Sequence, residues 1–284
     1  MRTTINTGLL LAVWLFMSSI AGKAQHSLIN SVDQLNSYAD EIQPLLNTMG
    51  DKIYFVRGHH KSNFGGRSDA GDAYFSEKTD SGTWTLPIPV SSKINNKYFN
   101  GILGIRGEEL LLYGVYGSSS VPPGTKGISV VRKQGSNGIT GEIKQVPIRY
   151  YKDGSELYGY SLSEDGNILL LSMESYKSQG AEDIYVSFWD DQSRYWTEPK
   201  NLGPIVNSAF QELSPSLTPD NKTLFFSSNG HGGFGSRDIF FTKRLDDSWT
   251  NWSPPQNMGA EVNTEGAEMY FQYYPQHQLA IYTS

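Results

Sequence analysis

The chain has 284 residues, 38% of them hydrophobic and 13% aromatic, with no cysteine and a formal net charge of -6. That is enough apolar material for one large domain or two small ones, and it excludes disulfides, thiol catalysis and a lipid-modified N-terminal cysteine. An acidic chain without lysine or arginine clusters also argues against nucleic acid and anionic membranes as partners.

The first element, MRTTINTGLLLAVWLFMSSIAGKA (1–24), reads as a secretory signal. It has Arg2, an apolar run from Leu9 to Phe16 that continues to Ile20, and small residues before Gln25, with cleavage expected after Ala24. The run is shorter than the ~20 apolar residues that span a bilayer. Cleavage takes away Arg2 and Lys23 and no acid, moving the net charge to -8. The mature chain is thus expected in the periplasm, soluble or peripheral to the outer membrane, with no transmembrane segment.

From residue 25 onward the chain reads as one domain built of repeats, with units near 38–95, 96–150, 151–207, 208–263 and a partial 264–284. NSAFQELSPSLTPDNKTLFFSS, from Asn207, lies over NTEGAEMYFQYYPQHQLAIYTS, from Asn263, at an offset of 56 without a gap. NSYADEIQPLLNTMGDKIYF, from Asn36, lies over the first of these at 171. Each unit predicts an inner hairpin, a second apolar run (GDAYFSEK, GISVVRK, EDIYVSFW, RDIFFTKR) and, in three of four, an outer element begun by Trp84, Trp196 or Trp252. The second unit has the plainer EIKQVPI. Runs of four to eight residues rich in Ile, Val, Phe and Tyr, bounded by Gly, Pro, Asn and Asp, are strand chemistry. Four short strands repeated radially predict an all-β fold, a β-propeller. Two arrangements are open for the half-unit at the end: HSLINSVDQLNS, from His26, pairs onto it and removes sheet edges, or the units are a fragment of a longer ring.

The stretch from Glu212 to Glu268, with S-P-S-L-T-P-D-N-K, F-F-S-S and G-F-G-S-R-D-I, resembles the WD-repeat-like, TolB-related propeller repeats of the bacterial envelope. These are found in OmpA-family and type IX secretion-associated proteins of Bacteroidetes. The likeness covers Asn36 to Ser284 and weakens in the second unit, which lacks the Asp and the tryptophan. It implies a periplasmic interaction module whose partner is an envelope protein or polymer. No OmpA-like domain is seen, so peptidoglycan binding carries over to no residue.

Residues that recur in every blade are expected to support the fold. Glu41, Glu212 and Glu268, with Glu156 one residue out of register, open the innermost strands and should accept hydrogen bonds between blades. Asp72, Asp183 and Asp238 precede the second run and should bind loop N–H groups. Gly50, Gly166 and Asn221 supply the positive-φ residues of the first hairpins.

The loops after the inner hairpins, RGHHKSNFGGRSDAG, GSSSVPPGTKG, SYKSQGAE and NGHGGFGSR, exceed ordinary hairpin length and form the expected contact rim. His60, Phe64, Tyr176, His231 and Phe234 are its contact candidates. His59 and His60 are neighbours and face opposite ways on a strand. With no third ligand at metal spacing, neither a metal nor another cofactor is expected. The glycine run before Asp238 leads into a strand rather than a helix, which removes a phosphate cradle. No catalytic residue stands out, and the expected function is a non-catalytic periplasmic scaffold in envelope or secretion machinery. The alternative is a secreted carbohydrate-active hydrolase, for which Glu174 and Asp69 are the best blade-specific acids.

Overall fold

In the computed structural model, residues 9–12, 29–31, 34–116, 124–135, 138–157 and 159–284 are described. They form five antiparallel sheets. The innermost strands are Asp40–Leu46, Ile102–Arg106, Tyr160–Leu162, Glu212–Leu217 and Met269–Tyr274. Each packs against the next and the last returns to the first, so the sheets close into a β-propeller.

The second strands of blades 1, 3 and 4 are Lys52–Gly58, Ile168–Met173 and Thr223–Ser228. They read as continuous apolar runs because a blade is covered on both faces by its neighbours. Lys52–Gly58 is buried along its whole length. Between blades 4 and 5 the rings of Phe225 and Phe271 meet at 4.8 Å, and Ser216 and Ser227 donate across the same interface to the carbonyls of Phe271 and Glu268. The first hairpins turn through Gly50, Gly166 and Asn221, at φ of +74°, +75° and +57°.

The outer elements are shorter than the tryptophan motifs suggest. Ile88–Pro89, Lys200–Asn201 and Gln256–Asn257 are two-residue strands, each with a proline in it or just before it, and proline has no N–H for the ladder. Trp196 and Trp252 are wholly buried beneath these edges, while Trp84 is half-buried. Blade 2, without a tryptophan, instead has the longest outer strand, Gly138–Val146.

Both ends of the chain share the fifth blade. Leu279–Thr283 pairs with Leu9–Ala12, which pairs with Ile29–Ser31. The segment from His26 therefore reaches the last blade through Ile29–Ser31, but as its outermost strand. The third place is taken by four residues from the predicted leader, whose remainder lies outside the described residues.

Candidate functional site

The recurring acids brace their own blades rather than tie neighbouring ones, since their donors lie in the same blade. Glu41, Glu212 and Glu268 have no solvent exposure. Each carboxylate accepts from the backbone N–H and the hydroxyl of the residue four earlier, Ser37, Ser208 and Thr264. Glu156, by contrast, is exposed; the buried carboxylate of that segment is Asp153. Asp72 accepts from Phe64 N–H, Asp183 from Gln179 and Gly180, and Asp238 from Phe234 and Gly235, which pins the long loops. Burial raises the Asp72 carboxyl to about 6, against the Phe64 hydrogen bond and helped by nearby Asp69. Asn95, Asn207 and Asn263, in register at multiples of 56, close their units by pairing through both amide atoms with the third strand of the same unit, at Ala73, Ile184 and Ile239.

Of the five contact candidates, Phe64, Tyr176 and Phe234 stand exposed on loops between second and third strands. His60 and His231 do not. His60 is 8% exposed, stacked on Tyr38 and edge-on to Tyr74, and its Nδ1 accepts from Ser62 N–H. Burial, with Arg57, Lys61 and Arg67 nearby, lowers its pKa. His231 packs against Phe226 and Phe240 and donates from Nε2 to the Val206 carbonyl at 2.8 Å. The loops fold back and tuck both rings against the third strand, so neither stands out from the rim as Phe64, Tyr176 and Phe234 do. Asp69, one of the two candidate acids, is 1% exposed and accepts from Gly65 and Gly71 N–H; it caps a loop. Glu174 is exposed. Among the described residues no three His, Asp or Glu side chains gather as a metal site.

A cleft of about 370 Å³ opens on blade 3, lined by Tyr150, Tyr151, Tyr176, Tyr185, Lys177, Glu198 and their neighbours. Tyr150 and Tyr176 are 82% and 83% exposed, so two aromatic faces are offered to a ligand rather than to the core. Tyr150 has φ +49°, a conformation a bulky residue rarely adopts and one that costs energy. Lys177 Nζ and Glu198 Oε1 pair at 3.0 Å on the cleft wall.

Behind this wall lies a buried network. Tyr151 and Tyr160 hydroxyls donate to Asp153 Oδ2 at 3.0 and 3.2 Å. Ser155 donates to Oδ1 from N–H and hydroxyl, and Lys126 Nζ stands 3.5 Å from the carboxylate. Tyr160 in turn accepts through its carbonyl from the Tyr113 hydroxyl. The network fixes the Tyr151 ring and the floor of the cleft. Glu174 N–H also approaches Asp153 Oδ1, at 3.3 Å, placing Glu174 just before Ser175 and Tyr176 of the lining. The cleft joins the segment from Tyr150 to the blade-3 loop, and nothing in the repeat pattern pointed to it beyond Tyr176 and Glu174.

No protein-family model matches the sequence, and no curated protein matches it. Several solved structures are similar in fold. A GH43 protein of a xyloglucan utilisation locus from Bacteroides ovatus is 13% identical with a TM-score of 0.47, over 82% of this chain and 45% of that one. A GH32 β-fructofuranosidase from Bombyx mori is 11% identical with a TM-score of 0.47, over 79% and 51%. A putative 6-phosphogluconolactonase from Bacteroides fragilis is 11% identical with a TM-score of 0.42, over 97% and 87%. The chain spans about half the length of the two glycoside-hydrolase chains. These three are named as enzymes, in contrast to the expectation of a non-catalytic scaffold without enzymatic activity. At these identities and scores the likeness says nothing of which reaction.

Proposed function

We propose that the protein is a carbohydrate-active hydrolase whose glycan lies in the tyrosine cleft of blade 3. The observation that carries this reading is the pair of nearly fully exposed rings, Tyr150 and Tyr176, framing a cleft with a carboxylate in its wall. Apolar sugar faces stack on such rings while a few polar groups fix orientation. Flat nucleobases would stack as well, but the negative net charge disfavours a polyanion.

Hydrolysis of a glycosidic bond needs two carboxyl groups, one to protonate the leaving oxygen and one to activate water or attack. Glu198, on the wall beside Lys177, and Glu174, beside the Ser175–Tyr176 lip, are assigned these roles. Asp153 is a positioning residue, holding Tyr151. An exported enzyme would meet an envelope or extracellular polymer as its partner. The resemblance of the repeats to TolB-related ones supports that placement, as does the leader-like composition of 1–24, whereas the pairing of Leu9–Ala12 within blade 5 counts against removal of that segment.

The test is turnover of a panel of plant and bacterial-envelope glycans by the full chain. Glu198→Gln and Glu174→Gln should each lower turnover by about 100-fold or more with unchanged melting, and Tyr176→Ala should raise KM with little effect on kcat. A wild type inert on every glycan, or activity untouched in both glutamine variants, would overturn the reading.

A further inference from the structure

Gln43, Ser214 and Tyr270 occupy one position of the repeat, related by the offsets 171 and 56. All three are left-handed, at φ +55°, +51° and +56°. Each sits at a break in the pairing of its innermost strand: between Ile42 and Leu45, Leu213 and Ser216, and Met269 and Gln272. None is glycine, the residue that takes this conformation without strain. Strained, non-glycine backbone repeated at one depth of the ring points to a function there.

The bulges bring these side chains to a common cavity on the ring axis, with Tyr113 and Tyr160 also in its wall. Gln43 is 9% and Ser214 5% exposed. Among the described residues, neither end of the Gln43 amide nor the Ser214 hydroxyl makes a well-formed hydrogen bond, although the Tyr270 hydroxyl stands beside both and the Tyr113 hydroxyl beside Gln43. Burial raises the Tyr270 hydroxyl to about 12, against loose hydrogen bonding from Ser214 and Gln43, so it stays protonated and able to donate. An alanine Cβ at Gly101 would come within 3.0 Å of Gln43 Oε1; the glycine leaves the amide its place at the axis.

Buried amides and hydroxyls left without well-formed hydrogen bonds are rare in folded proteins, and an internal water or ion is the usual explanation. The cavity measures about 20 Å³, and about 10–15 Å³ is enough for one water. We propose that the axis carries a single-molecule site in which one water-sized hydrogen-bonding ligand, a water or a halide ion, is held by Gln43, Ser214 and Tyr270. The three residues belong to blades 1, 4 and 5, the run of the ring in which the two chain ends meet. The ligand therefore fastens the closure from inside, independently of the cleft and of the reaction proposed for it.

Crystals of the full chain grown in chloride and in bromide test this, with data collected at the bromine edge. Density is expected within hydrogen-bond distance of the Gln43 amide and Ser214 Oγ. An anomalous peak identifies a halide and its absence a water. The second measurement is melting of Gln43→Met, which keeps the volume and removes the amide. With a bound ligand the variant loses a real interaction and melts about 2–4 °C lower. Without one it removes two unsatisfied groups and melts higher. An empty axis in the wild type, or a Gln43→Met variant that melts above it, overturns the site.

Discussion

Arg57 Nε donates to Glu41 Oε1 at 2.8 Å across blade 1, and sixteen residues beyond the matching acids of blades 4 and 5 the same contact is made by Ser228 and Ser284 hydroxyls. One buried carboxylate is thus served by a cation in one blade and by a neutral donor in two others. The strut within each blade needs an acceptor and a donor rather than a charge pair.

The two partners should respond unequally to mutation. Glu41→Ala leaves a buried guanidinium and the Ser37 donors without their acceptor, and should cost about 3–5 kcal/mol. Arg57→Ser recreates the arrangement of blades 4 and 5 and should cost about 1–2 kcal/mol, from the lost bond to the Leu35 carbonyl. Urea unfolding of both variants measures the difference; equal losses would contradict the substitutable strut.

Asp72 gives the fold a pH dependence of known sign. Its carboxyl is raised from 3.8 to about 6 in the folded chain, so the folded state binds more protons between those values and stability from this group falls as pH rises through them. The cost is fully present above about 6 and absent below about 4. Melting followed from pH 4 to 7 should show this decline, and Asp72→Asn should flatten it. An unchanged slope in the variant would assign the dependence to other groups, Glu41 first, whose carboxyl burial also raises.

Tyr150 separates stability from binding. Its left-handed backbone is strained for a tyrosine and natural for glycine, and its exposed ring adds little to the core. Tyr150→Gly should therefore stabilise the fold, by about 1 kcal/mol, while weakening glycan affinity measured by calorimetry. A variant that is destabilised and still binds would remove Tyr150 from the cleft's function.

The N-terminal strand makes a fourth prediction. Leu279–Thr283 pairs with Met269–Tyr274 on one side and Leu9–Ala12 on the other. A chain beginning at Gln25 loses the second partner. Its amides from 279 to 283 should exchange faster than in the full chain, with a lower melting temperature. Equal protection would mean that another segment takes the third place in the blade.

The repeat made most of this architecture legible in advance. Offsets of 56 and 171 located the inner hairpins, the left-handed turns at Gly50 and Asn221, and the glutamates at their strand starts, because backbone needs recur whenever the blade does; Gly166 was marked by its Asp-Gly pair. The same offset placed His231 on His60, and recurrence argues for a structural role. What misled was their position in long glycine-rich loops, which read as exposed until the rings are seen against Tyr74 and Phe240. Gln43, Ser214 and Tyr270 were in register too, but an amide, a hydroxyl and a phenol share no residue type. Their common backbone strain is visible only in φ. The cleft was the least legible part: Tyr150, Tyr151 and Glu198 belong to one blade, and their meeting depends on how the link into blade 3 packs.

The fifth blade, shared between Leu9–Ala12 and Leu279–Thr283, also sets an order of assembly. These pairs join residues far apart in the sequence, Leu9 with Thr283 among them, and contacts of such separation form late and slowly. Four blades can stack as the chain emerges, each on its predecessor, but the ring stays a crescent with two raw edges until the last strand is free. Crescents meeting edge to edge are open to pairing with one another, so the final closing step is where correct folding competes with aggregation.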